Sequence, residues 1–247
     1  PQGAESRVRA PDPGSVADRR SLDDDLGREL PFAYHHDFGF LTSCPTNVGT
    51  GLRASVFMHL PGLVLTKEIG KALNALREIG LTFRGLYGEG SEVVGQFFQV
   101  SNQITLGKAE EDLVDDLERA VRTVIRKERE ARQILFRDAQ LITEDRIWRS
   151  YGLLRYARSL SFEELMAHLS NLRLGKSLKL LPGLRVYSLN KIMVFTQPAH
   201  LEQAAGRDLS PEESDAHRAS YVRRVLATEG DVAGIEESSV DPPSEQP

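Results

Sequence analysis

Residues 52–60, Leu-Arg-Ala-Ser-Val-Phe-Met-His-Leu, alternate between two kinds of side chain. A period of two is the signature of an extended strand with one face turned to a core. It sets Leu52, Ala54, Val56, Met58 and Leu60 on the buried side. Arg53, Ser55, Phe57 and His59 fall on the other. A small-residue turn, Asn47-Val48-Gly49-Thr50-Gly51, leads into this strand. Farther on, Lys108–Gln133 repeats with the helical period, with Leu113, Leu117, Val121, Val124 and Ile125 as its apolar stripe. Strand and long amphipathic helix in one stretch of chain predict an α+β domain.

The neighbouring segments extend this pattern. Phe38–Ser43 reads as a strand. Thr66 is placed to N-cap a helix with Glu68 in its first turn, Ile69, Ala72, Leu73, Leu76 and Ile79 on its apolar side and Gly80 as its stop. Leu81–Tyr87 and Val93–Ser101 read as strands around the loop Gly88–Glu92. Beyond the long helix the signals are helical. Thr143-Glu144-Asp145, Ser161-Phe162-Glu163-Glu164 and Ser210-Pro211-Glu212-Glu213 each open a helix, the last two as capping boxes. Lys191–Phe195 is an apolar run that fits a short strand.

The fold class expected is therefore α+β: a mostly antiparallel sheet flanked by helices, followed by a small helical C-terminal domain. Residues 1–20 are poor in apolar side chains and carry Pro1, Pro11 and Pro13, which suits a disordered lead-in. Residues 21–133 form the first domain, 134–228 the helical one. Residues 229–247, with six acidic side chains and no Lys or Arg, read as a disordered acidic tail.

Charge and cysteine content narrow the function classes. A net charge of −5 argues against binding nucleic acid by bulk charge. The one cysteine rules out an intrachain disulfide and a Cys-rich zinc site. No run of about eighteen apolar residues is present to cross a bilayer, and no apolar signal-peptide core is seen. The expectation is a soluble, cytoplasmic protein with no membrane or nucleic-acid partner. No metal ligand set is read from the histidines. His35 and His36 are adjacent, so strand geometry sends them to opposite faces, and His59, His168, His200 and His217 are scattered.

Three groups of residues invite chemistry, and each has a plain alternative. Arg53 and Phe57 on one strand face, after a glycine turn whose amides can approach an anion, suit a phosphate under a stacked base. They equally suit a solvated strand face. Arg84 beside the glycine-rich loop around Glu89 suits a phosphate fork and a mobile carboxylate. It equally suits a surface hairpin with a charged tip. Cys44 before Pro45 is either a small structural thiol or, near arginines, a reactive one.

Two blocks taken together resemble the phosphagen (ATP:guanido) kinase family. They are Gly39-Phe40-Leu41-Thr42-Ser43-Cys44-Pro45-Thr46-Asn47-Val48-Gly49-Thr50-Gly51-Leu52-Arg53-Ala54-Ser55-Val56 and Phe83-Arg84-Gly85-Leu86-Tyr87-Gly88-Glu89. The bacterial protein-arginine kinase branch is the better fit. Phe57 stands where the metabolic kinases usually have histidine. Gly88-Glu89-Gly90-Ser91-Glu92-Val93-Val94-Gly95, Gln99–Gln103 and the helical unit after Arg132 resemble that branch as well. The helical extension weighs against a metabolic kinase for a free guanidino compound.

The resemblance implies ATP-dependent phosphorylation of arginine residues in proteins, linked to Clp-type proteolysis and the stress response. ATP and Mg²⁺ are implied as cofactors. Protein substrates with exposed arginine, a possible activator protein and a homodimer are implied as partners. Arg53 and Arg84 are implied to hold the ATP phosphates. Ala54, Ser55, Val56 and Phe57 are implied to line the nucleotide, with Gly85, Leu86, Tyr87, Gly88 and Glu89 in the same binding segment. Glu89 is implied to hold and deprotonate the target guanidinium, with Cys44 against it. A phosphoarginine-sensing motif is implied at Asp215 and Arg218, where Ser214 replaces the family's leading arginine. The family's N-terminal helical domain, arginine-rich early strand and Asn-Glu-Glu-Asp-His-like carboxylate segment are not found in these residues. The chain therefore reads as a truncated piece, and a nucleotide- or phosphoarginine-binding dimerisation module without catalysis is the alternative function.

Overall fold

The computed structural model describes residues 13–85 and 93–229. In chain order the elements are α1 (Pro13–Glu29), β1 (Tyr34–His35), β2 (Gly39–Phe40), a 3-10 turn (Pro45–Asn47), β3 (Ser55–His59), α2 (Pro61–Leu65) and α3 (Ile69–Glu78). There follow β4 (Leu81–Arg84), β5 (Phe97–Asn102), α4 (Glu110–Asp138), α5 (Gln140–Tyr156), α6 (Phe162–Ser177), α7 (Val186–Phe195), α8 (Pro198–Ala205) and α9 (Pro211–Thr228). The fold class is α+β with small antiparallel sheets. β1 and β2 pair antiparallel, Tyr34 opposite Phe40 and His35 opposite Gly39. A second sheet runs in the order β3-β5-β4. Its β3 and β5 are antiparallel: Asn102 N–H donates to Ala54 O at 3.3 Å and Leu60 N–H to Gln96 O at 3.0 Å. No described helix is long and apolar enough to cross a membrane.

The chain divides into two compact units. The first takes Pro1–Val56, Leu73–Phe83 and Val100–Ile125. Within it the β1–β2 hairpin is closed by Gly39 at φ +72°, and Phe40 and Gly49 exchange backbone hydrogen bonds at 2.9 and 3.1 Å. Gly49 has φ +112°, a conformation that a side chain resists. Thr105 fixes the turn from the other side. Its hydroxyl donates to Val48 O at 2.7 Å, and its carbonyl accepts from Thr50 N–H at 3.0 Å. Leu73, Leu76, Leu81, Val100, Leu113, Leu117, Val121 and Val124 are buried, so the apolar stripe expected on the long helix turns inward. Ile125 is only half-buried.

The second unit takes Phe57–Ala72, Arg84–Gln99 and Arg126–Pro247. Its core joins Phe97 to Ile147, Leu154, Leu165, Leu172, Leu189, Val222 and their neighbours, with α5 packed on α6 and α9. Two helix starts follow the sequence signals. Ser161 accepts from Glu164 N–H, and Ser210 with Glu213 forms a complete capping box. A charged residue also lies inside. Glu128 is 4% exposed, and its carboxylate accepts from Gly62 N–H at 2.8 Å and Leu63 N–H at 2.9 Å. These are amides of the first turn of α2, which have no partner within their own helix. Arg132 Nε donates to the same carboxylate at 2.5 Å, and Arg132 Nη2 reaches His59 O at 3.3 Å.

At its other end this unit is latched by Glu229. The Glu229 carboxylate accepts from Arg185 Nη2 at 2.8 Å and Arg185 N–H at 3.0 Å, and Ser188 Oγ also donates to it. The Arg185 guanidinium is the main cause that holds this carboxyl down to about 2 from an ordinary 4.5, against the opposing effect of burial. A depressed folded-state pKa gives stability that is present above the ordinary value and lost as pH falls through the folded one. The urea midpoint of the wild-type chain is therefore expected to exceed that of Glu229→Gln at neutral pH, the gap closing between pH 4.5 and about 2. A gap that stays constant through that range would contradict the latch.

Several segments differ from the sequence expectation for local reasons. Thr66 does not open a helix; it C-caps α2, its N–H bonded to Gly62 O, and Glu68 O takes the first bond of α3 from Ala72 N–H. Pro61 at the first helical position starts α2 earlier than the periodicity suggested. β2 keeps only two residues of Phe38–Ser43, because Thr42 Oγ1 donates to Cys44 O at 2.7 Å and turns the chain. β5 starts at Phe97, since Gly95 and Gln96 both have positive φ. α5 begins at Gln140 rather than Thr143, and Thr143 is buried inside it. Lys191–Phe195 is helical, the end of α7, with Leu189 and Ile192 turned to the core at helical spacing. His36 sits in the hairpin turn, so its ring stacks on His35 at 4.7 Å instead of pointing to an opposite face. Residues 13–20, read as part of a lead-in, are helical, and Glu229, read as tail, is the latch. Residues 1–12 and 230–247 lie outside the described residues.

Candidate active site

The strand read first in the sequence keeps its two faces. Arg53, Ser55 and Phe57 are exposed, Leu52, Ala54 and Val56 half-buried, Met58 and Leu60 buried. In the first unit Asn102 holds the strand's entry. Its Oδ1 accepts from Ala54 N–H at 2.8 Å, and its Nδ2 donates to Leu52 O at 2.9 Å and Ile104 O at 3.1 Å. A buried amide that satisfies three backbone groups fixes the segment on both sides of Arg53. The Arg53 guanidinium itself donates to Ser101 Oγ at 3.3 Å and is otherwise turned outward. Also in this unit, Cys44 is exposed, and its Sγ lies 3.0 Å from Thr46 Oγ1.

In the second unit Phe57 is 44% exposed and stacks flat on Phe97, with ring centroids 5.0 Å apart and planes at 2°. His59 Nε2 is 2.7 Å from Ser170 Oγ, which donates to Gln96 Oε1 at 2.6 Å. The serine has one proton and gives it to the glutamine. His59 therefore donates, as a neutral ring protonated at Nε2. Burial, with the charges of Arg173 and Arg132, holds the His59 pKa well below its usual value, in keeping with that neutral form. Arg84 ends β4 half-buried and Gly85 after it is buried. Leu86, Tyr87, Gly88 and Glu89 lie outside the described residues.

Arg218, at 3% exposure, is committed to the fold of the helical part. Its Nη1 donates to Leu160 O at 2.7 Å, its Nε to Thr196 O at 3.2 Å, and it pairs with Asp215. Of metal donors, the described residues bring His35, His36 and Asp37 within 4.8 Å of one another. They already serve each other: His35 Nδ1 accepts from Asp37 N–H, and His36 Nε2 lies 3.1 Å from Asp37 Oδ2. Asn102, Ser170 and Arg173 were not singled out in the sequence. Asn102 is the last residue of an apolar strand, where the sequence does not tell a buried amide from a turn residue, and the other two act across elements.

Comparison with known proteins adds two family matches in tandem. Residues 12–131 match the ATP:guanido phosphotransferase C-terminal catalytic domain, and residues 140–237 match the protein-arginine kinase McsB C-terminal domain. The chain belongs to the ATP:guanido phosphotransferase family. Among relatives of this family, a protein-arginine kinase of Pelotomaculum thermopropionicum is 48% identical over 83% of this chain and 58% of its own length. One of Moorella thermoacetica is 50% identical over 84% of this chain and 59% of its own length. The chain thus spans less than two thirds of the relatives it matches. A crystal structure of lombricine kinase is 29% identical, covers 46% of this chain and 31% of its own, and has a TM-score of 0.40.

Proposed function

We propose that this phosphotransferase-family chain takes part in ATP-dependent phosphorylation of arginine residues in proteins. The observation that carries the reading is the tandem of matches: a guanido-phosphotransferase catalytic segment followed on the same chain by a segment particular to protein-arginine kinases. The roles follow from chemistry. MgATP is the substrate. Arg53 and Arg84 are each phosphate-binding residues, because a guanidinium fork keeps its charge and matches phosphate oxygens. The holding of Arg53 by Ser101 and of its flanking backbone by Asn102 supports that role, since a fixed cation stabilises developing charge without reorganising. Phe57, with Ala54, Ser55 and Val56, lines the nucleotide, and Gly85 to Gly88 continue the binding segment beside Arg84.

The acceptor is a guanidinium, protonated and a poor nucleophile. Glu89 orients one of its nitrogens and takes the proton as that nitrogen attacks the γ-phosphorus. The bond from phosphorus to the bridging oxygen breaks, leaving ADP and phosphoarginine. Cys44 lies against the acceptor. The same reading carries a homodimer, a cytoplasmic setting, a possible activator protein and a link to Clp-type proteolysis under stress.

Incubating the chain with γ-labelled MgATP and an arginine-rich protein is expected to place acid-labile label on arginine, and Glu89→Ala is expected to abolish it. Nucleotide binding without any label transfer overturns the kinase reading. Label that survives in Glu89→Ala overturns the role of that carboxylate.

A further inference from the structure

Phe57 lies on a sheet strand, but what supports its ring comes from a helix far along the chain. Behind Phe57 is Phe97, 5% exposed, and two further groups contact Phe97. The His59 ring is 4.7 Å away, and the Arg173 guanidinium lies over the Phe97 ring at 5.4 Å. Arg173 is held in turn by Asn190 on α7. His59 is fixed through Ser170, which also grips Gln96, the residue before Phe97. One position earlier, Gly95 at φ +61° sits so close to α6 that a Cβ there would lie 2.9 Å from Met166 O.

Met166, Ser170 and Arg173 are spaced by four and three residues, one face of α6. That face meets Gly95, Gln96 and Phe97 in succession, and His59 besides. A stacked aromatic binds a base only as well as its own plane is held, because an exposed ring otherwise loses rotamer freedom on binding.

We infer that the Met166–Ser170–Arg173 face of α6 is a positioning device that sets Phe57 as the platform for the adenine base. The helical part of the chain thereby governs nucleotide affinity without touching phosphate. This rests on the reading above that Phe57 lines the nucleotide. Arg173 and Ser170 are positioning residues, acting through Phe97 and His59.

The test titrates the full chain with ATP and, separately, with inorganic tripolyphosphate, which has no base. Arg173→Ala is expected to weaken ATP binding roughly tenfold, the scale of one lost base–aromatic stack, and to leave tripolyphosphate binding unchanged. Arg173→Lys, which keeps a cation over Phe97, is expected to recover part of the loss. Ser170→Ala, which leaves Arg173 in place, is expected to shift ATP affinity in the same direction. Wild-type ATP affinity in both alanine variants overturns the inference, as does an equal loss of ATP and tripolyphosphate, which marks general damage to the fold. If the unsubstituted chain binds tripolyphosphate but gains nothing from the base, the nucleotide reading of Phe57 itself fails. That outcome is visible before any variant is made.

Discussion

Glu128→Ala is expected to lower the free energy of unfolding by roughly 3–5 kcal/mol, read as a fall in urea midpoint at an unchanged slope. The substitution removes a carboxylate that satisfies two amides at the start of α2 and neutralises Arg132. Those groups stay behind, poorly reached by water, and an unpaired buried donor costs more than a made bond contributes. Glu128→Gln is expected to help little, because its NH₂ must face one of the two N–H donors. Replacing both charges, Glu128→Leu with Arg132→Met, is expected to recover part of the loss, since the uncompensated guanidinium is gone. A single-substitution loss below about 1 kcal/mol, the range of ordinary surface changes, would deny Glu128 this task.

Gly49→Ala is the second large effect. At φ +112° an alanine is strained by itself, and its Cβ would lie 2.2 Å from Thr105 O and 2.8 Å from Leu106 Cα, both backbone atoms that cannot swing aside. The expected cost is roughly 3 kcal/mol or more, combining a disfavoured conformation with overpacking. Gly51→Ala is the matched comparison. It too has positive φ, at +64°, but its nearest neighbour is Asn47 O at 4.0 Å. It is expected to cost about 1 kcal/mol, the left-handed penalty alone. Thermal melts in which the two variants fall equally would show that close approach adds nothing at Gly49.

The reading of the sequence succeeded where a local rule acts alone. The alternation of residues 52–60 survives as alternating exposure from Leu52 to Leu60 because one strand face is buried and nothing competes with the period of two. The N-cap at Ser161 and the capping box at Ser210 need only their own first turns. The failures have the opposite cause. Lys191–Phe195 is short and apolar, so strand and buried helix look alike there, and only the packing of Leu189 and Ile192 decides. Thr66 has the right chemistry for an N-cap, yet Pro61 had already begun a helix that Thr66 ends. Glu128 continues the stripe Leu117, Val121, Val124 at helical spacing, a charge where an apolar residue was due; its partners on α2 cannot be read from that spacing. The turn and the exposed strand face that carries Phe57 were legible, whereas Asn102, Ser170 and Arg173 act across elements distant in sequence, and no periodicity reports such pairings.

Because Glu229 closes the described chain with four hydrogen bonds to Arg185 and one to Ser188, the choice of a trimming point matters. A recombinant product ended after Thr228 forfeits the carboxylate, so the start of α7 and the last turn of α9 come loose together. Ended one residue later, it retains the clasp. The practical border between a sound helical fragment and a fraying one falls on a single peptide bond.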